Sequence, residues 1–515
     1  MKMDRRKFLL QSTSAAALGA TFPSAVVSQS PAAPPISLAS DPLRPQFHLL
    51  PPSNWINDPN APVYWKGKFH MFYQYNPDGA YWANMHWGHA ISEDMVHWKN
   101  LPIAVSPTPG GPDADGCFTG TAVIDNEKVV VLYTGVEAVP PDRATSKGAL
   151  NLRETQCLLS SSDPELMTWT KQHVPVIAEP PTGMQVNGFR DPSPWRQGDW
   201  WYMVLGAGVA NRGGVVLLYK SKDLRSWEFM HVLAGRDADT AHRFEPYNPW
   251  EVWECPELFE LDGKHVLIFS TQGRAYWQSG VLDPHTMQFH AERTGILDYG
   301  AYYAPKTQLD NSGRRILWGW IQETRLLDQY KAAGWAGMIS LPRVLALDAN
   351  GNLRSRVAPE VATLRGSEQH PEIKGDEERN QRQIAAIRIK GCCGELQCVA
   401  RRTGDNFSLI LSGSSANSSP WLTVSYDSQR PTEISIDARP IPLKLNDSED
   451  LSLELYVDSS VIEVFVNNEV AYTKRFYYSG RPPQDMCMKW TGETTNLVRL
   501  SVYQLKPISL DRLTG

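Results

Sequence analysis

The 515-residue chain lacks several things. It has no apolar run approaching the ~20 residues that a membrane-spanning helix needs, so no membrane span is expected. It has no basic stripe, and its net charge is −6, which argues against a nucleic-acid partner. Its seven cysteines form no CxxC pair; Cys392, Cys393 and Cys398 lie close enough in sequence to allow one disulfide, but this is not a disulfide scaffold. Patterned helices are scarce. The histidines of "HWGH", His86 and His89 with His97 nearby, have ligand-like spacing, yet residues three apart on a strand face opposite sides. No metal and no cofactor is expected.

What is present is aromatic: 18 Trp, 19 Tyr and 15 Phe. Flat aromatic faces suit sugar rings, although most must serve as core. The length implies two or three domains. The start, "MKMDRRKFLLQSTSAAALGATFPSAVVSQS", runs from basic to mildly apolar to small residues, as a secretory signal does. Arg5-Arg6 followed by Lys7-Phe8-Leu9 looks like a twin-arginine export signal. Residues 1–28 are read as that signal, 29–45 as a linker, and the mature protein as exported, periplasmic or secreted.

One unit recurs across the next 300 or so residues: a turn, an alternating apolar strand, then a strand ending in an acidic turn and an aromatic. The copies begin "GKFHMFYQYNP", "EKVVVLYTG", "GDWWYMVLGAG", "GKHVLIFSTQG" and "GRRILWGWI", with opening turns near Gly67, Glu127, Gly198, Gly263 and Gly313. Five copies at this spacing read as a five-bladed β-propeller over 46–350. A polar connector follows over 351–383. Strands such as "FSLILSG", "WLTVSYD" and "LELYVDSSVIEVFVNN", with turns at short intervals, then indicate a β-sandwich over 384–515. The fold class is all-β.

Three acids share a setting: Asp58-Pro59 in "NWINDPN", Asp191-Pro192 in "FRDP", and Glu254-Cys255-Pro256 in "WECP". Alone, each is an ordinary turn former. However, Asp58, Asp191 and Glu254 precede a blade-opening turn by nine, seven and nine residues. That places all three on innermost strands, facing one central channel. Carboxylates sharing an aromatic-lined pocket repel one another, so one should be held protonated near neutral pH. Glu254, with the longer reach, is the better general acid, and Asp58 the better nucleophile or base. Arg190 should keep Asp191 ionised and bind hydroxyls. Two carboxylates flanking a glycosidic bond are the minimum machinery of glycoside hydrolysis.

In order and spacing these motifs resemble the signatures of glycoside hydrolase family 32, which includes invertases, levanases, inulinases and fructan exohydrolases. "YQYNP", "FTGTAVI", "YYAPKTQ", "LWGWIQE", "GWAGMISLPR" and the sandwich stretch extend the likeness over roughly Phe47 to Leu505. The resemblance implies a retaining double displacement on β-D-fructofuranosides such as sucrose, inulin or levan. It makes Asp58 the nucleophile, Glu254 the acid/base and Asp191 the transition-state stabiliser. Asn57, Gln74, Trp82, Phe118, Thr119, Arg190 and Trp320 match fructose-subsite positions, with Trp55 in the same wall. The chain departs from the pattern at Ala61, where Gly is usual, at Thr119 for Ser, and at Glu257 for Asp, the last near the expected leaving-group region. Three rivals stand beside this reading. An inverting arabinan- or xylan-cleaving propeller would hold its carboxyls farther apart, a fructosyltransferase would share every catalytic residue, and a non-catalytic sugar-binding propeller would need none of them.

Overall fold

A computed structural model describes residues 37–148, 150–236, 248, 251–373, 376–402, 405–414, 419–446, 448–478 and 485–514. The export signal read at 1–28 and the first part of the 29–45 linker lie outside the described residues.

Five antiparallel sheets follow one another along the chain. Blade 1 comprises Asn54–Trp65, Lys68–Asn76, His86–Ser92 and Trp98–Val105; blade 2 comprises Gly116–Asp125, Lys128–Ala138, Leu152–Ser161 and Thr170–Lys171. Blade 3 comprises Val186–Gln197, Trp200–Val209, Gly213–Ser221 and Glu228–Gly235; blade 4 comprises Glu254–Leu261, Lys264–Thr271, Arg274–Leu282 and Phe289–Ile296. Blade 5 comprises Tyr302–Leu309, Arg315–Ile321, Arg343–Leu347 and Leu353–Val357. The first strand of each blade packs on the first strand of the next, and blade 5 returns to blade 1. Trp335–Ala336 also adds in parallel to Asn54–Trp55 of blade 1. This is a closed five-bladed propeller.

The recurring acidic turn and aromatic have a local cause. Asp94, Asp163, Asp223 and Asp283 sit just after the third strand, and their carboxylates accept backbone N–H groups of the turn that follows. A left-handed apolar residue comes next, Met95, Leu166, Leu224 or Met287, with φ of 66°, 52°, 64° and 56°. In blades 1 to 3 the indole of Trp98, Trp169 or Trp227 then donates to that residue's carbonyl at 2.9–3.0 Å. Each such turn satisfies its own backbone and plugs the space between blades with an aromatic.

The sandwich has two six-stranded sheets. Its alternating strands meet over a core that includes Leu396, Leu409, Leu422, Leu453, Val464 and Trp490. The segment 351–383, read from sequence as a connector, holds structure of both domains. Leu353–Val357 is the outer strand of blade 5 and Arg365–Gln369 is an edge strand of the sandwich. Its polarity is that of an exposed edge and of the surface helix Glu377–Ala385, where Asp376 caps Arg379 N–H. The seven cysteines are all unpaired.

The stretch "YVDSSVIEVFVNN" of the sandwich docks the two domains. Asp458 accepts the N–H groups of Gln46, Phe47 and His48 at 2.6–3.0 Å and His48 Nδ1 at 2.8 Å. Glu463 pairs with His48 Nε2 (2.9 Å) and with Arg343 Nη2 (2.5 Å), which also reaches Asp298 (2.9 Å). All five side chains are fully buried. Burial alone would lower the His48 pKa, but its two carboxylate partners raise it to about 9. Glu463 is held down at about 2; burial opposes this, and Arg343 and His48 prevail.

Candidate active site

Each inner strand carries the same irregularity: two residues face one on the neighbouring strand. The pairs are Asn57 and Asp58 opposite Gln74, Phe118 and Thr119 opposite Thr134, Asp191 and Pro192 opposite Leu205, Cys255 and Pro256 opposite Phe269, and Ala304 and Pro305 opposite Gly319. These are β-bulges, which bend a strand and re-aim its side chains. Asp191, Cys255 and Ala304 take left-handed φ values of 67°, 50° and 51°. Pro192, Pro256 and Pro305 sit where the ladder needs no N–H. The Asp-Pro and Cys-Pro pairs in the sequence are therefore marks of bulges that turn polar groups into the channel.

The carboxylate of Asp58 is held by a chain of donors. Trp55 Nε1 donates to Asn57 Oδ1 (2.7 Å), and Asn57 Nδ2 donates to Asp58 Oδ1 (3.0 Å). Thr119 Oγ1 donates to Asp58 Oδ2 (2.5 Å), and Gln74 Nε2 donates to Thr119 Oγ1 (2.6 Å) and, at 3.5 Å, to the same carboxylate oxygen. The thiol of Cys255 lies 3.5 Å from Asp58 Oδ2 and 3.6 Å from Asp191 Oδ2, between the two acids. Asp191 Oδ2 also accepts the Cys255 N–H at 2.8 Å, and the Asp191 N–H donates to Thr134 Oγ1.

Glu254 is set differently. Its Oε1 accepts Nε and Nη2 of Arg190 at 3.2 and 2.8 Å, and its Oε2 accepts the Tyr303 hydroxyl. Its side chain is 30 % exposed, whereas Asp191 is 3 % exposed. Trp55, Trp82, Phe118, Trp320 and Tyr330 gather into one aromatic cluster beside these acids. Trp55 and Trp320 lie 5.8 Å apart, as do Trp82 and Phe118. The buried indole N–H of Trp320 has no partner among the described residues.

The electrostatics depart from the sequence expectation in two respects. The carboxyl pushed toward neutrality is Asp191, to about 7: burial raises it, Arg190 opposes, and the charges of Glu254 and Asp58 add to the rise. Asp58 is also raised, chiefly by burial, while Thr119 and Asn57 pull the other way. Second, Arg190 does not keep Asp191 ionised. Its guanidinium pairs with Glu154 (2.6 Å) and Glu254, because neighbouring residues of a strand point apart. Glu257, expected near the leaving group, instead accepts the Thr307 N–H (2.9 Å) and is buried in the channel wall beyond the bulge.

All eleven side chains singled out from sequence meet around this funnel. Sequence reasoning passed over Tyr303, Cys255, Thr134 and Glu154. The first two stand inside quoted motifs, "YYAPKTQ" and "WECP"; Thr134 and Glu154 carry no local signal. The candidate metal histidines stay apart: His86 Nδ1 contacts Asn84 O and His97 pairs with Asp94, while His89 stacks on His70 in the blade core. No group of three or more potential metal ligands occurs among the described residues, and none of their helices is long and apolar enough to cross a membrane.

Comparison with known proteins agrees with this architecture. The family model described as glycosyl hydrolases family 32 N-terminal domain matches residues 48–356, and that of the family 32 C-terminal domain matches 360–504. A sucrose-6-phosphate hydrolase of Escherichia coli is 36 % identical over 459 residues, covering 84 % of this chain and 89 % of the relative. A raffinose invertase of Escherichia coli is 33 % identical, with the same two coverages. The crystal structure of fructan 1-exohydrolase IIa from Cichorium intybus superposes with a TM-score of 0.72 at 26 % identity, over 90 % of this chain and 98 % of that one. A β-fructofuranosidase of Bombyx mori superposes with a TM-score of 0.73 at 29 % identity, over 91 % and 95 %. The chain belongs to the glycosyl hydrolases of family 32.

Proposed function

We propose that the protein releases terminal β-D-fructose from sucrose or fructans by double displacement through a covalent fructosyl-enzyme. The observation that carries this reading is the pairing of Asp58, wrapped by donors, with a more open Glu254 across one aromatic funnel. Asp58 attacks the anomeric carbon while Glu254 gives its proton to the glycosidic oxygen, and the leaving alcohol departs with it. Glu254 then takes a proton from water, the hydroxide adds to the anomeric carbon, and the Asp58–sugar bond breaks to release fructose. Asp191 uses Oδ2 on the Cys255 N–H, and its Oδ1 accepts nothing from the described residues; this oxygen receives the fructose hydroxyls and steadies the oxocarbenium-like transition state. Trp55, Trp82, Phe118 and Trp320 wall the sugar, with Asn57, Gln74, Thr119 and Arg190 fixing the carboxylates around it.

The relatives' names favour this substrate class: sucrose-6-phosphate hydrolase, raffinose invertase and fructan 1-exohydrolase. The test is sugar release from sucrose, inulin and levan by the mature protein beside Asp58→Ala and Glu254→Ala. Free fructose from the wild type, reduced by roughly 10³-fold or more in both variants, is the expected result. No release from any of the three sinks the hydrolase reading, and transfer of fructose to sugar in preference to water makes it a transferase. The twin-arginine-like start supports export of the mature chain, with the signal over 1–28, the propeller running from residue 46 through Val357 and the sandwich beginning at Arg365. An Arg5-Arg6→Lys-Lys variant should stay inside the cell.

A further inference from the structure

Behind Arg190 stands a carboxylate that the reaction above does not use. Glu154 lies on the third strand of blade 2 and is fully buried. It accepts Arg190 Nη1 at 2.6 Å, the Phe189 N–H at 2.6 Å and the Thr145 hydroxyl at 3.2 Å. The other edge of the same guanidinium, Nε and Nη2, donates to Glu254 Oε1. One arginine thus bridges two carboxylates, one sealed in the protein and one facing the funnel.

A sealed carboxylate cannot bind sugar, and a buried charge is retained only with full pairing. Glu154 has that pairing, which also anchors Arg190. Two of its three donors, Phe189 N–H and Arg190, are consecutive residues just ahead of the Asp191 bulge, so Glu154 fixes the approach of the guanidinium to Glu254. The charges around that guanidinium come from three sides: Glu154 of blade 2, Glu254 of blade 4 and Asp191 of blade 3. Facing Glu254 are Arg190, the Tyr303 hydroxyl of blade 5, and the acids Asp58 and Asp191.

We infer that Glu154 is a positioning residue for the acid/base: by sharing Arg190 it fixes Glu254 in place and holds back part of the guanidinium charge from it. The inference rests on Glu254 being the acid/base. Burial works against the charge on Arg190, but Glu154 and Glu254 more than offset it and hold the guanidinium protonated throughout. Arg190 is therefore a constant, and the compensating charge behind it is the adjustable part. Without Glu154, Glu254 meets an uncompensated cation and loses a nearby negative charge. Both effects ease loss of its proton.

The experiment is the pH dependence of kcat/KM on sucrose, or on the fructan the release assay selects, for wild type, Glu154→Gln, Glu154→Asp and Glu254→Ala. The Gln variant keeps shape and one acceptor but drops the charge; its basic limb should move to lower pH by about one unit, as expected for one charge a guanidinium away at the effective dielectric of a protein interior. The Asp variant withdraws the charge by one methylene and should move the limb the same way by less. A folded Gln variant with a uniformly lower rate and an unmoved limb overturns the inference. If the Gln variant does not fold, an unmoved limb in the Asp variant overturns it equally. The Glu254→Ala arm separates the two readings: wild-type activity there removes the acid/base assignment itself, whatever Glu154 does.

Discussion

Asp191→Asn should abolish activity and yet stabilise the protein, increasingly so as pH rises. Asp191 is 3 % exposed, and its carboxyl, ordinarily at 3.8, is raised to about 7 by burial and by the neighbouring acids. A folded-state pKa above the unfolded value means that the folded state prefers the protonated form. That advantage is complete below pH 4 and is lost as pH rises through 7. Roughly three units at 1.36 kcal/mol each make the loss about 4 kcal/mol by pH 8. Asparagine has nothing to ionise and keeps an acceptor for the Cys255 N–H. The variant should therefore gain on the wild type by about 4 kcal/mol between pH 4 and pH 8. With an unfolding entropy of roughly 2 cal/mol/K per residue over the 515-residue chain, that is a relative rise in Tm of about 4 °C. The assay is differential scanning calorimetry of both proteins across that range, with fructose release followed in parallel. A Tm difference that stays constant with pH would refute the claim that an ionising Asp191 strains the fold.

The remaining expectations concern donors around the same carboxyls and the joint between domains. Thr119→Val removes a donor that lowers the Asp58 pKa, so the acidic limb of kcat/KM should move to higher pH; an unmoved limb with normal folding contradicts the nucleophile's dependence on that hydroxyl. Trp320→Phe deletes the buried, unpartnered indole N–H and should lower kcat/KM by roughly 5- to 50-fold, the worth of one hydrogen bond made in a dry site, with little change in Tm. Tyr303→Phe frees one oxygen of Glu254 and should reduce kcat/KM more than it changes thermal stability. At the joint, His48 at about 9 lies above its usual 6.5, so its contribution is complete below pH 6.5 and is lost as pH rises through 9. Tm of the wild type should fall across that window, and Glu463→Ala, which leaves Arg343 with Asp298 alone and His48 with Asp458 alone, should cost about 3 kcal/mol.

The blades and their inner strands were legible because each repeat carries two local signals, a punctuating turn and a strand of fixed polarity. Once five repeats imply a closed ring, the distance from acid to turn places Asp58, Asp191 and Glu254 on one channel. The acidic turn and tryptophan were visible as a pattern, although their cause, an aspartate accepting the turn's own amides, needed coordinates. The direction of Arg190 was not legible. Sequence adjacency to Asp191 suggested a pair, but strand alternation and the bulge send the guanidinium to Glu154 and Glu254, partners 36 and 64 residues away. Glu154 itself stands in a polar strand, "LRETQC", that nothing local distinguishes. Which acid burial would shift was equally hidden, since it depends on exposure: side-chain length favours Glu254, whereas the seal around Asp191 decides the matter.

The bulges explain why chemistry and architecture coincide in this chain. A regular inner strand would present alternate residues to the channel and bond every N–H to its neighbour. The two-for-one register frees a position in each blade, and proline takes it in three of the five, next to Asp191, Cys255 and Ala304. In blades 1 and 2 the same position is filled by Asp58 and Thr119, and these two are hydrogen-bonded to each other. Left-handed backbone at Asp191 and Cys255 and carboxyls raised by burial are unfavourable features; ring closure and the buried docking network of the sandwich offset them. Replacing Cys255, whose backbone and thiol both reach Asp191, tests the coupling between bulge and acid. Cys255→Ala keeps the N–H and loses the thiol, so Asp191 should stay placed while Asp58 loses a weak donor, giving a modest fall in kcat/KM. Cys255→Gly relaxes the strained φ as well, and a larger loss of activity there than in the alanine variant would assign the difference to the bulge and not to sulfur.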